Sequence, residues 1–156
     1  MFKFLGNKKD MGIYSPVIGK MIKIEEVPDK TFADKLLGDG VAFYMDTDII
    51  SAPCFGKVTM IANTKHAIGI LSDNGAELLI HIGLETVNLQ GEGFEVLVRS
   101  NEKIKPGTPL IKVDRKLMES KNINLIVPMV ITNEVAVTKN FHQTVDTSSV
   151  VMQLLQ

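Results

Sequence analysis

The chain has 156 residues, of which 45% are hydrophobic, with 17 basic against 18 acidic side chains. That length suits one domain and that apolar fraction supplies a core, which excludes disorder; near-cancelled charge without long like-charge blocks excludes nucleic-acid binding and acidic-tail functions. One cysteine, Cys54, excludes an internal disulfide and a multi-cysteine zinc site and fits a reducing, cytoplasmic setting, and no apolar run is long enough to span a bilayer.

Residues 1–12 read as a mobile N-terminal tail ahead of a single domain over 13–156. Phe2, Phe4 and Leu5 beside Lys3, Lys8 and Lys9 have the composition for weak contact with anionic lipid, but the segment is shorter than an interfacial helix. Beyond it the chain reads as short Val- and Ile-rich strands. Turn residues punctuate it at Gly38-Asp39-Gly40, Asp73-Asn74-Gly75, Gly91-Glu92-Gly93 and Lys105-Pro106-Gly107. That spacing predicts an all-β fold, an antiparallel sandwich or barrel. Ser15-Pro16-Val17-Ile18-Gly19-Lys20-Met21 resembles Ala52-Pro53-Cys54-Phe55-Gly56-Lys57-Val58, which predicts a duplicated hairpin motif with proline before each strand and glycine where another backbone comes close. Two short helices are expected. Asp29 caps one through Phe32 to Leu36, and Asp114 caps another through Leu117 and Met118.

Asn63 to Ile70 looks extended, and Ala76 to Leu84 reads as a strand across the Asp73-Asn74-Gly75 turn. Alternation puts Leu78, Ile80 and Ile82 on a core face, with Leu79, His81 and Gly83 opposite. Gly83 is expected to leave open space beside the His81 ring. His66 and His81 are about equidistant from Asn74, so a hairpin folded there brings the two imidazoles side by side. Thr64 shares the face of His66 if the strand runs straight. His142 has no partner motif and reads as a surface residue.

A neutral imidazole nitrogen is a nucleophile near neutral pH, provided the other ring nitrogen is held, for instance by a backbone carbonyl, so that the tautomer is fixed. A second imidazole, oriented by a hydroxyl such as Thr64, then donates to a phosphoryl oxygen and offsets charge in the transition state. Two histidines on one hairpin also suit a divalent metal such as zinc, at His66 and His81, completed by water or a partner's carboxylate.

Thr64-Lys65-His66-Ala67, then Leu79 through Val87, then Leu89-Gln90-Gly91-Glu92-Gly93-Phe94, closely resemble the glucose-type IIA components of the bacterial phosphoenolpyruvate-dependent sugar phosphotransferase system. Further matches are Pro16 with Gly19, Val27-Pro28-Asp29 with Phe32-Ala33, Gly38-Asp39-Gly40, and Ala52-Pro53 with Gly56. The resemblance runs from about Tyr14 to Asp114, and the ordered series is far more specific than any one motif. It implies an antiparallel β-sandwich phosphocarrier with no required cofactor. It implies that His81 accepts a phosphoryl group from the carrier protein HPr and passes it to a cysteine of a IIB domain during sugar uptake. His66 matches the second active-site histidine and Thr64 the hydroxyl beside it. Asp29, Phe32, Leu36, Leu37, Leu79 and Val87 match the partner-docking rim, with Glu85 beside them. The expected docking face is centred on Phe32, so that truncating Phe32 weakens partner binding with little loss of fold.

Glu85 stands where the family usually has aspartate, which keeps the charge on a longer side chain. Ala62 replaces a phenylalanine of some members and thins the apolar rim. Cys54 reads as packing and not as the cysteine phosphorylated in IIB domains. Among rivals, a regulatory protein whose phosphorylation state controls docking on other proteins would use the same face. A zinc enzyme would need a His-x-His motif, and a biotin- or lipoyl-carrier domain a lysine at the hairpin tip; the sequence has neither.

Overall fold

A computed structural model describes residues 10–155. In chain order the strands are β1 (Gly12–Tyr14), β2 (Gly19–Lys23), β3 (Asp39–Met45), β4 (Ile49–Ser51), β5 (Gly56–Ile61), β6 (Ala67–Ser72) and β7 (Glu77–His81). They continue with β8 (Phe94–Val96), β9 (Lys103–Ile104), β10 (Pro109–Val113), β11 (Ile126–Ile131), β12 (Val137–Lys139), β13 (Thr144–Val145) and β14 (Val150–Leu154). The helices are α1 (Lys30–Ala33) and α2 (Arg115–Ser120), with 3₁₀ turns at Ile24–Glu26 and Thr86–Leu89. An eight-stranded sheet in the order β13-β2-β3-β11-β7-β6-β5-β9 faces two three-stranded sheets, β1-β14-β12 and β4-β10-β8, and the recorded pairings are antiparallel. This is the antiparallel β-sandwich that the strand and turn pattern predicts.

Most of the expected tail, with its lipid-contact residues, lies outside the described residues. Its last residue does not belong to a tail: Gly12 opens β1 and pairs with Gln153 of β14. Asp10 ties in from just before, accepting from the Gly12 amide and the Tyr14 hydroxyl, while its carbonyl accepts from the Asn74 side chain.

The duplication is real in three dimensions. The two copies start β2 and β5, next to last at opposite ends of the large sheet, and each pairs with the strand that follows it. A Cβ on Gly19 would run into the Tyr44 carbonyl, and one on Gly56 into the Leu71 carbonyl. The prolines hold the copies together: the Pro16 carbonyl accepts from the Ser51 amide at 2.8 Å and the Pro53 carbonyl from the Tyr14 amide at 2.7 Å.

The inner strand β11, Ile126-Val-Pro-Met-Val-Ile131, is buried along its whole length because it has apolar matter on both faces. Val127, Met129 and Ile131 join the main core with Phe43, Ile68, Leu78 and Ile80. Ile126 and Val130 point the other way, into a second cluster with Ile24, Val27, Phe32, Ala42 and Leu84. Both capping expectations hold, the first helix ending earlier than expected at Ala33 and the second running on to Ser120. Asp29 accepts from the Thr31 amide at 2.9 Å, and Asp114 from the Leu117 amide at 3.1 Å. The turn expected at Gly38-Asp39-Gly40 ends at Gly38, and Asp39 and Gly40 already belong to β3.

Candidate active site

β7 carries the alternation read from its sequence, with Leu78 and Ile80 in the main core and Leu79 and His81 half-buried on the other face. Its ladder with β11 pairs Met129 with Ile80 and goes no further. Continuing that register sets Pro128, which has no N–H to give, opposite His81. The strand ends on the histidine, and its ring stands at the mouth of the loop that follows.

His66 and His81 come together as the hairpin predicts, but by a different local route. The register pairs His81 with Ala67, so strict alternation would send His66 to the core side with Ile68 and Ile70. Asn63 to His66 is not strand. It forms a turn with Lys65 in the left-handed region at φ 62°, and β6 begins only at Ala67. The turn swings His66 over the end of the sheet, where its ring meets His81 edge to face at a centroid distance of 4.9 Å and an interplanar angle of 78°. The same turn brings the Thr64 hydroxyl to within 2.5 Å of His66 Nδ1. A hydrogen bond from the Ile82 amide to the His66 carbonyl, 2.7 Å, joins the two segments.

Each ring has one nitrogen occupied. His81 Nδ1 lies 2.8 Å from the Gly83 carbonyl oxygen. A carbonyl only accepts, so Nδ1 carries the proton and Nε2 carries the lone pair. Gly83 is therefore not the open space expected of it. It is buried at φ 79°, and a Cβ there would lie 2.6 Å from the Thr86 methyl. Its contribution is a left-handed backbone that turns the carbonyl back onto His81. In neutral His66, a hydrogen bond donated by the Thr64 hydroxyl to Nδ1 leaves Nε2–H as a donor. With the Thr64 hydroxyl as donor, one ring offers a lone pair and its neighbour a proton.

Burial holds the His81 pKa below the ordinary 6.5. The Gly83 hydrogen bond pulls it up, the neighbouring His66 pushes it down further, and Asp29 pulls it up. Burial likewise lowers His66, against an upward pull from the Thr64 backbone. Both shifts favour neutral rings at physiological pH, the state in which His81 is a nucleophile.

The docking rim is only partly as expected. Leu36, Val87 and Leu37 are exposed by 71%, 49% and 40%. Leu79 and Asp29 are half-buried, and Glu85 is exposed in the left-handed region at φ 61°. Phe32 is not on the surface. It is 3% exposed in the second cluster, and its ring lies 5.1 Å from that of His81. It is an apolar wall that dries one side of the His81 ring, and the exposed apolar residues of the expected rim are Leu36, Leu37 and Val87. Phe32→Ala is accordingly expected to cost about 3–5 kcal/mol of stability. It should also raise the His81 pKa toward 6.5 as water reaches the ring, so that His81 protonates at higher pH. Denaturant unfolding and an NMR titration of the His81 ring check both effects. A variant as stable as the parent, with an unmoved titration, would return Phe32 to the surface.

Cys54 is packing, as read: it is buried among core residues and its thiol is pushed up to about 12 by burial, then by Asp73 and Asp10. His142 is half-buried rather than a plain surface residue, since its Nε2 lies 2.8 Å from the Val150 carbonyl. For a divalent metal the pair offers two Nε2 atoms. Among the described residues no group of three or more His, Cys, Asp or Glu side chains is placed to hold an ion. No helix among the described residues is long and apolar enough to cross a membrane.

The family model for the phosphoenolpyruvate-dependent sugar phosphotransferase system, EIIA 1, matches residues 11–137. The chain belongs to this EIIA family. The EIIA chain is 44% identical over 138 residues to a glucose-specific EIIA component of Staphylococcus aureus, covering 85% of this chain and 83% of that protein. It is 51% identical over 121 residues to a glucoside-specific EIICBA component of Staphylococcus carnosus, covering 78% of this chain but only 18% of that longer protein. In structure it is similar to the glucose permease IIA of Mycoplasma capricolum, with a TM-score of 0.80 and 34% identity over 92% of this chain and 95% of that one. The EIIA chain is a phosphocarrier component with the family's β-sandwich fold.

Proposed function

We propose that His81 takes a phosphoryl group on Nε2 from phospho-HPr and hands it to the cysteine of a IIB domain during sugar uptake. The observation that carries this reading is the 2.8 Å contact between His81 Nδ1 and the Gly83 carbonyl, which leaves Nε2 as the free lone pair on a half-buried, neutral ring. In the first step that lone pair forms the nitrogen–phosphorus bond while the bond from phosphorus to the HPr leaving atom breaks, and its electrons return to HPr. No proton has to leave His81. The ring becomes cationic, and the Gly83 carbonyl at Nδ1 stabilises that charge. In the second step the IIB thiolate attacks phosphorus and the same electrons return to Nε2. His66 Nε2–H lies beside the phosphoryl group once it is on His81, so the donor acts chiefly in the second step, as the bond at Nε2 breaks.

Leu36, Leu37 and Val87 form a shallow apolar surround, with Asp29 and Glu85 beside it to meet basic groups on a partner. A carrier must bind donor and acceptor in turn, which suits a small patch of moderate affinity.

Incubation with phosphoenolpyruvate, enzyme I and HPr tests the reading. The label is expected on His81 at Nε2, labile to acid and stable to base, because protonating the ring makes it a better leaving group. Peptide mapping and nitrogen NMR of the phosphorylated chain locate it. An acid-stable label, or one on His66 or His142, would remove His81 as the acceptor.

A further inference from the structure

The loop after β7 contains a buried polar side chain with a single visible task. Thr86 is 0% exposed, and its hydroxyl donates to the Ile82 carbonyl at 2.6 Å. That carbonyl belongs to the Ile82–Gly83 peptide, whose other end is also held: the Gly83 amide donates to the Ile126 carbonyl at 2.9 Å. The plane of this peptide is therefore pinned at both its oxygen and its nitrogen. The next rotation along the chain is the φ of Gly83, 79°, and the Gly83 carbonyl beyond it is the acceptor for His81 Nδ1. The Thr86 methyl fills the space beside Gly83 where a side chain would otherwise lie. Glu85, left-handed at φ 61°, turns the chain so that Thr86 can reach back four residues.

From this geometry we infer that Thr86 is a positioning residue for phosphoryl transfer: its hydroxyl fixes the Ile82–Gly83 peptide, and through the Gly83 carbonyl it sets the His81 tautomer with the lone pair on Nε2. The inference rests on His81 being the acceptor. Without the hydroxyl the Ile82 carbonyl loses its partner, the hold on the Gly83 carbonyl rests on the Gly83 and Leu84 amides alone, which donate to the Ile126 and Asn124 carbonyls at 2.9 Å, and the preference for Nδ1–H over Nε2–H weakens. A ring with its proton on Nε2 has no lone pair at the position facing the donor. For metal-bound histidines the group on the second ring nitrogen commonly matters by about 10–100-fold in affinity or activity, and Thr86 acts on the group that holds that position on His81.

The test uses the intact chain and reads the ring directly. Nitrogen NMR of His81 gives its tautomer without any transfer reaction, and rapid-quench labelling from phospho-HPr gives the rate. Thr86→Val keeps the methyl and removes the hydroxyl. It is expected to shift His81 toward the Nε2–H tautomer and to slow labelling by about tenfold or more. Thr86→Ser keeps the hydroxyl and is expected to retain the parent tautomer and most of the rate. Should Thr86→Val fail to fold, Thr86→Ala is compared with Thr86→Ser in the same way. A hydroxyl-free variant with the parent tautomer overturns the inference, as does a serine variant shifted as far as the valine or alanine one. Labelling of the parent chain at a residue other than His81 would overturn the proposed function itself, and the tautomer readout distinguishes the two failures.

Discussion

His81→Ala is expected to abolish phosphoryl transfer outright, with labelling from phospho-HPr below detection. The step forms a bond to Nε2, and removing the nucleophile removes the reaction and not merely a contribution to its rate. His66 is nearby but does not substitute, because in the proposed arrangement its Nε2 carries the proton and its Nδ1 is taken by the Thr64 hydroxyl. His142 is elsewhere in the fold and spends Nε2 on the Val150 carbonyl. The fold should survive. His81 is at a strand end, only half-buried, and its loss leaves the ladders β6–β7 and β7–β11 intact. Circular dichroism and denaturant unfolding establish that the variant is folded, and radiolabel from phosphoenolpyruvate through enzyme I and HPr then reads transfer. A folded His81→Ala chain that still takes label would sink the assignment.

His66→Gln should divide the cycle in two. Its side-chain amide retains a donor but not the geometry of an imidazole fixed by Thr64 and set edge-on to His81 at 4.9 Å. A hydrogen-bond donor aimed at developing charge is typically worth about two to three powers of ten in rate. Phospho-HPr is a high-energy donor, so acceptance onto His81 should persist. Delivery to IIB, the step that must break the bond at Nε2, should fall by about a hundredfold or more. Stopped-flow or rapid-quench measurements in both directions separate the steps. Delivery to IIB at the parent rate would make His66 a bystander.

The residue pattern by itself determined a good deal. Alternation in Glu77-Leu-Leu-Ile-His81 assigned the core face of β7 and the opposite face to His81, since a strand with one face in the main core has only one register that buries Leu78 and Ile80. The Ser15–Met21 and Ala52–Val58 copies were legible because both place glycine where a neighbouring backbone leaves no room for a Cβ. The Asp29 and Asp114 caps were legible because capping is local chemistry. The motif series around His66 and His81 was enough to identify the family, and no step of that needed coordinates.

What pattern could not decide was whatever depends on chain segments distant in sequence or on departures from regular periodicity. Phe32 looks like a rim residue on a short polar helix. Only the meeting of β3, β11 and the loop after His81 creates the second cluster that buries it. Gly83 lies in a run that reads as strand through Leu84, yet the ladder stops at His81, and a left-handed glycine, the Thr86 hydroxyl and the held amides of Gly83 and Leu84 then decide where one carbonyl points. His66 is the sharpest case: alternation alone would place it on the wrong face, and the left-handed Lys65 reverses that. Period-two patterning carries information only while the backbone stays extended, and the two histidines meet where it does not.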